Sequence, residues 1–200
     1  MKKKFALVTT LIFGLILPAM ATAATWNIDP DHSSIGFKVK HLMISNVRGS
    51  FDKHTGTIEL NEKDITKSKV EVSIETASIN TNVQKRDDHL RSADFFDVAK
   101  FPVMKFVSKK VAESGKDKLK VTGDLTLHGV TREVVLNVDG PTMESKDPWG
   151  NIRKGATATT TINRKDFGLT WNKALETGGV VVGDEVNILL EIEMIKAKEK

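Results

Sequence analysis

Between Arg86 and Asp97 the chain reads RDDHLRSADFFD: two arginines, one histidine and four carboxylates, with two adjacent phenylalanines inside the same dozen residues. Such a set suits acid–base chemistry, a metal site, or the polar lid of an apolar compartment. Spacing separates these. If Lys85 to Arg91 is helical, residues three and four apart share a face, so Asp88 sits with Arg91 and Ser92, Arg86 with His89 and Leu90, and Asp87 with Leu90 and Arg91. Asp87 and Asp88 then point about 100° apart and make a poor carboxylate pair. General acid–base work by His89 with Asp88 stays open, beside a plainer alternative in which ion pairs and caps tie this helix to the rest of the fold.

A metal site needs two or three ligands at short fixed spacing, as in a helical His-Glu-x-x-His. His32, His41, His54, His89 and His128 are scattered with no such spacing, so no metal and no cofactor is expected. Nucleophilic catalysis lacks its parts: the chain has no Cys, no Tyr and no Gly-x-Ser-x-Gly elbow. Gly178-Gly179 runs into Val180-Val181-Val182 rather than opening a helix, which removes the phosphate-loop reading. Phe95 and Phe96, with Val98 and Phe101, form an apolar cluster right after the charged stretch. They either plug the end of a core or wall a channel with Arg86, His89 and Arg91 at its mouth.

The elements that position these residues follow a separate N-terminal segment. Lys2-Lys3-Lys4, the apolar run Phe5 to Leu17 and the small residues Ala21-Thr22-Ala23 read as a cleavable signal peptide over residues 1–23, leaving one domain over 24–200. The chain is therefore expected to be exported. The whole chain carries a net charge of +4, and loss of the three lysines with no acid leaves +1. Nucleic acid, which demands a concentrated cationic face, is therefore not an expected partner.

Alternation with a period of two dominates the remainder. Ser34 to His41 puts Ile35, Phe37, Val39 and His41 on one face. Val47, Gly49 and Phe51 continue the pattern, whose parity changes by Ile58 and Leu60, suggesting a bulge or turn near His54 to Gly56. Val70, Val72, Ile74 and Thr76 come next, then Met104 with Phe106, then Leu119, Val121, Leu125 and Leu127, then Val134, Leu136 and Val138. Ala156 to Ile162 and Val186 to Met194 complete about eight strands. Glu113 to Asp117 and His128-Gly129 carry hairpin chemistry, while Asp139-Gly140-Pro141 and Lys146 to Asn151 read as breaks and loops. Thr81-Asn82-Val83-Gln84 has the form of a capping box before a helix, and Ser92 of a cap on a second short turn.

Many antiparallel strands with one short helical insertion predict an all-β fold, a closed barrel or a sandwich, since a lone sheet would leave long edges exposed. An eight-stranded barrel holds a small ligand where its lining is small. Ser34, Gly36, Gly123, Ala156, Ala158 and Thr160 are small inward candidates beside Phe37, Val39, Val72, Ile74, Phe106, Leu125 and Leu136. Cavity and packed core remain alternatives on this pattern.

Five ordered blocks resemble the YceI-like family of polyisoprenoid-binding proteins: Trp26 to His41, Val47 to Phe51, Arg86 to Asp97 with Phe101-Pro102, Gly123 to Thr131, and Asp166-Phe167-Gly168. The resemblance spans nearly all of residues 24–200. It implies an eight-stranded antiparallel lipocalin-like barrel with a short helical insertion that encloses an isoprenoid-type lipid, polyprenyl or quinone-like, as its bound ligand. It also implies a periplasmic carrier, transient membrane contact and a homodimer. His41, Arg86, Asp87, His89, Leu90, Phe95 and Phe96 match positions expected near that ligand, with Arg86 and Arg91 suited to a phosphate head and His41 or His89 to a carbonyl. Two rivals stand beside this non-enzymatic expectation: a lipid-modifying hydrolase or isomerase using Arg86, Asp88 and His89, and a structural stress-response module with a filled core.

Overall fold

A computed structural model describes residues 23–176 and 178–198. The expected signal peptide lies, except for Ala23, outside the described residues. The described residues form twelve hydrogen-bonded strands that resolve into eight staves. Strands β1 (Ala24–Ile28) and β2 (Ser34–His41) both run antiparallel to β12 (Val182–Lys196), so they form one stave bent at residues 29–33. In the same way β3 (Ser45–Phe51) pairs with β2 while β4 (His54–Leu60) pairs with β1. The third stave is β5 (Lys69–Glu75), beside β4, with the short β6 (Ile79–Asn80), beside β3. β7 (Val103–Gly115), β8 (Lys118–Leu127), β9 (Val130–Asp139) and β11 (Ile152–Asn163) follow in order. A two-residue stub, β10 (Ser145–Lys146), pairs with the start of β11.

Closure comes from β11 and β12, which pair continuously from Arg153↔Ile195 to Asn163↔Glu185. The expected eight-stranded antiparallel barrel is what forms. Its weakest seam is β9 against β11, where only Asn137, Val138 and Asp139 find partners. Local chemistry accounts for the joints. His128 and Gly129 both take positive φ, 52° and 74°, as a tight hairpin of right-handed strands requires. A Cβ on Gly129 would stand 2.5 Å from the Phe101 ring, so that turn has room for hydrogen alone.

One local expectation is located and two are corrected. The parity change is a turn at Asp52-Lys53, where Asp52 N–H donates to Ser78 O and Lys53 O accepts from Glu75 N–H, just before His54 to Gly56, which are already in regular register with Ile74 to Val72. Ser34 is exposed, because it has the opposite parity to Ile35 and Phe37. The capping box does not form: helix α1 (Gln84–Arg91) is capped by Val83 without a side-chain bond, and Thr81 turns its hydroxyl to Asp87 instead. That carboxylate is a stronger acceptor than a backbone group. Ser92 does cap the turn after α1, its Oγ accepting from Asp94 N–H at 3.3 Å.

Apolar residues inside the staves form three connected clusters. Near α1 are Ile35, Phe51, Ile74, Ile79, Met104 and Phe167. At the opposite end Trp26 is completely buried among Ile28, Ile58, Leu60 and Met194. Phe106, Val111 and Val121 lie along one side.

Candidate functional site

The period of two turns one side chain in each pair inward, and the inward set does not fill the barrel. A cavity of about 280 Å³ runs along the bore, touching all eight staves from Ile65, Pro141 and Met194 at one end to Leu90, Phe96 and Leu169 at the other. Small-molecule pockets commonly measure about 300–1,000 Å³, so the empty space stands just below that range. The inward side chains thus leave open space along the bore, a point the residue pattern left undecided. Small residues make the room: Ala156, Ala158 and Thr160 line β11, and Gly123 gives its side-chain space to Phe106, whose Cζ would be 2.5 Å from a Cβ there.

The wall is apolar. Among the lining residues only Ser68, Thr160 and Arg164 carry polar side chains. Of the sequence candidates, Phe37, Val39, Val72, Ile74, Leu90, Phe95, Phe96, Phe106, Leu125 and Leu136 all line the cavity. His41, Arg86, Asp87 and His89 do not, and the reason is visible in their bonds. Asp87 is buried and accepts from Thr81 N–H at 2.9 Å and from its hydroxyl at 2.5 Å. Arg86 donates to Thr81 Oγ1 and to Thr81 O at 2.7 and 2.9 Å. Arg91 donates to Ala77 O and Ile79 O at 2.8 and 2.7 Å and pairs with Asp88 at 3.2 Å. His89 bonds Asp94 at 2.8 Å and packs edge-on against Phe95 and Trp171. His41 ends β2 opposite Val182.

The stretch that looked most like chemistry is therefore a strap. Its cations hold the carbonyls that the broken stave β5–β6 leaves without ladder partners, a requirement for any buried backbone. Asp87 and Asp88 point to different environments, one buried and one exposed, as the helical spacing requires.

Arg164, which the residue pattern did not single out, is the charged residue in the wall and is only 3% exposed. It is the next inward position after Ala158, Thr160 and Ile162, so the alternation itself carried the signal. Its guanidinium donates to Gly183 O at 2.9 Å, to Leu169 O, and more distantly to Val182 O and Asp184. Burial draws its pKa down, and Asp184 at 3.5 Å opposes that only in part. The side chain ties the Arg164–Phe167 turn to the start of β12, leaving its stem to the cavity. The neighbouring Gly168 closes this turn at φ 79°.

At the far end, Arg153 bridges Asp29 (2.6 Å), Asp147 (2.7 Å) and Glu193 (2.5 Å) across the bend between β1 and β2. Burial tends to raise the carboxyl pKa values of Asp29 and Asp147, but the bonds from Arg153, joined by those of His32 and Asp31 N–H to Asp29 and of Asn151 and Trp149 N–H to Asp147, together outweigh it and hold both below the usual carboxylate range. Asp29, His32 and Glu193 have ligand atoms close enough for a cation, yet Arg153 already provides the positive charge between Asp29 and Glu193. Above them the ammonium groups of Lys154 and Lys196 stand 5.6 and 5.5 Å from the Trp26 ring, closing the base with cation–π contacts.

Known proteins share this architecture. A UPF0312 protein of Vibrio parahaemolyticus is 42% identical over 167 residues, 82% of this chain and 88% of its own. The crystal structure of a YCEI protein from Campylobacter jejuni, 35% identical, superposes with a TM-score of 0.67 over 81% of this chain and 91% of that one. A structure described as a polyisoprenoid binding domain from Saccharophagus degradans superposes with a TM-score of 0.62 at 17% identity, covering 88% and 99%, a likeness of fold. The model of the YceI-like domain matches residues 26–194, nearly the whole described barrel, and the chain belongs to that family.

Proposed function

We propose that the protein is a non-enzymatic binding protein that carries the tail of an isoprenoid-type lipid inside its barrel, in the periplasm. The observation that carries this reading is the unbroken apolar wall: a bore contacting every stave in which the three polar side chains are either small or already bonded. Burying one five-carbon isoprene unit is worth roughly 3–4 kcal/mol at about 0.8 kcal/mol per carbon. A tail of several units therefore crosses water only when shielded. The likeness to a polyisoprenoid binding domain supports the same class of cargo.

The wall favours selection by the tail. Arg86 and Arg91 of the insertion and Arg164 of the wall are committed to backbone carbonyls, so a bore lined in this way reads the tail and not the head. The hydrolase reading needed Arg86, Asp88 and His89 to converge on the cargo. They belong instead to the strap outside the wall, which favours carriage over turnover.

The test uses one tail with three heads. Farnesol, farnesoic acid and farnesyl phosphate should compete for the bore with affinities within about threefold of one another, whereas shortening the tail by one unit to geraniol should weaken binding by at least about tenfold. Ala158→Phe, which fills the bore, should abolish binding of all three while thermal unfolding stays cooperative. Absence of any binding, together with a native-host preparation that releases no lipid on organic extraction, would leave the structural-module alternative.

A further inference from the structure

From Ser34 to Phe51 the chain contains Lys38, Lys40 and Arg48 and no Asp or Glu. The β2–β3 hairpin built from this segment sets Lys38 directly opposite Arg48 and Lys40 opposite Asn46. Like charges facing across a ladder are unfavourable. Ion pairs are plentiful elsewhere on the barrel, but among the described residues none includes Lys38, Lys40 or Arg48.

The tip of the hairpin is equally unusual. His41 O accepts from Ile44 N–H at 3.1 Å, and the two residues between, Leu42 and Met43, both take positive φ, 50° and 63°. Such a turn favours Asn-Gly or Asp-Gly, whose backbones adopt it with little strain. Leu and Met there are strained, and apolar side chains stand exposed at this tip: Met43 is 49% exposed and Ile44 82%. A single exposed Ile would be ordinary. Two apolar residues held out on a strained turn that Leu42 N–H fastens to Val181 O at 2.8 Å are a built feature, and strain that persists points to function.

We infer that the β2–β3 hairpin is a membrane-docking element, with Met43 and Ile44 entering the interface of an anionic phospholipid bilayer and Lys38, Lys40 and Arg48 resting on its head groups. Charge complementarity selects this occupant: a hairpin carrying three cations outside any ion pair and no acid of its own fits a negative surface. The element is joined to the bore, since Val39 of β2 and Val182, opposite His41, both line the cavity. Docking here would bring one end of the bore to the membrane that supplies its cargo; only this last step rests on the lipid-carrier reading.

Flotation of the protein with vesicles tests it. Binding to phosphatidylcholine mixed with phosphatidylglycerol should exceed binding to phosphatidylcholine alone by about a hundredfold at low salt, taking about fivefold per basic residue, and the excess should vanish at high salt. Lys38→Gln/Lys40→Gln/Arg48→Gln should abolish the preference, and Met43→Ser/Ile44→Ser should weaken binding to both. Leu42→Asn/Met43→Gly should raise the melting temperature while weakening vesicle binding, a divergence that a purely structural turn would not give. Equal binding to the two vesicles, or none, overturns the inference. So does a concentration-dependent dimer dissolved by Ile44→Asp, which would assign the tip to a second copy of the chain. Farnesol binding measured in the same preparations reports on the cargo separately, so the two readings fail independently.

Discussion

The α1 strap and the β2–β3 hairpin both concentrate cations on short segments at the same end of the barrel, yet their charges have opposite fates. In the strap each arginine is spent: Arg86 on Thr81, Arg91 on Ala77 and Ile79. In the hairpin Lys38 faces Arg48 with nothing between them to compensate. Charge density is therefore a poor guide to function, and satisfaction a better one. A cation bonded to buried carbonyls is part of the fold, whereas one left without a partner beside an exposed apolar tip is available to something outside it.

The comparison breaks first at Asp87. Asp87→Ala strands the N–H and hydroxyl of Thr81, both buried, and should lower stability by about 2–4 kcal/mol in denaturant unfolding, because each unsatisfied buried donor costs about 1–3 kcal/mol. Arg91→Ala removes two bonds to backbone carbonyls and should cost about 1–2 kcal/mol while leaving farnesol affinity unchanged. If Arg91→Ala instead spared stability and altered head-group preference, the strap would belong to the binding site after all.

Acid titration sharpens the contrast from the other end of the barrel. Asp29 and Asp147 have folded pKa values below their unfolded ones, so their contribution is complete above about pH 4 and is lost as pH falls through the lowered folded values. Arg153→Met should remove the largest part of that contribution, lowering the melting temperature at neutral pH by about 5 °C and weakening its acid dependence, with the bonds from Asn151 and Trp149 N–H to Asp147 keeping the rest. The smallest effect belongs to the hairpin. Lys38→Gln should leave stability unchanged or raise it by about 0.2–1 kcal/mol by relieving the opposed charges, the reverse of what Arg91→Ala does.

Most of the barrel was legible as a sequence. Side chains alternate along a strand whatever surrounds it, so the inward faces of β2, β5, β7, β8 and β9 could be named from their spacing, and seven of the candidate lining residues were, while Leu90, Phe95 and Phe96 came from the helical insertion and its apolar cluster. The joints were less legible. The parity change falls at Asp52-Lys53 because its bonding partners are Glu75 and Ser78, and the capping box gave way because Asp87 offers Thr81 a charged acceptor six residues on. Arg164 was hidden for a related reason: an arginine following an apolar alternation reads as the end of a strand, unless three carbonyls wait at Leu169, Val182 and Gly183 to take it in.

What the residue order determined by itself was the number of staves, their inward faces and the two hairpin turns at Glu113 to Asp117 and His128-Gly129, because those depend on steric periods of a few residues. Whether the bore stayed open, and which charges remained unspent, was decided only in three dimensions. A cavity is the difference between the perimeter that eight paired staves enclose and the side chains they turn inward, and no local pattern measures that difference. Likewise a carbonyl's need for a donor arises only where its ladder breaks, as at Ala77 and Ile79, and the helix that answers it must first be folded back onto them.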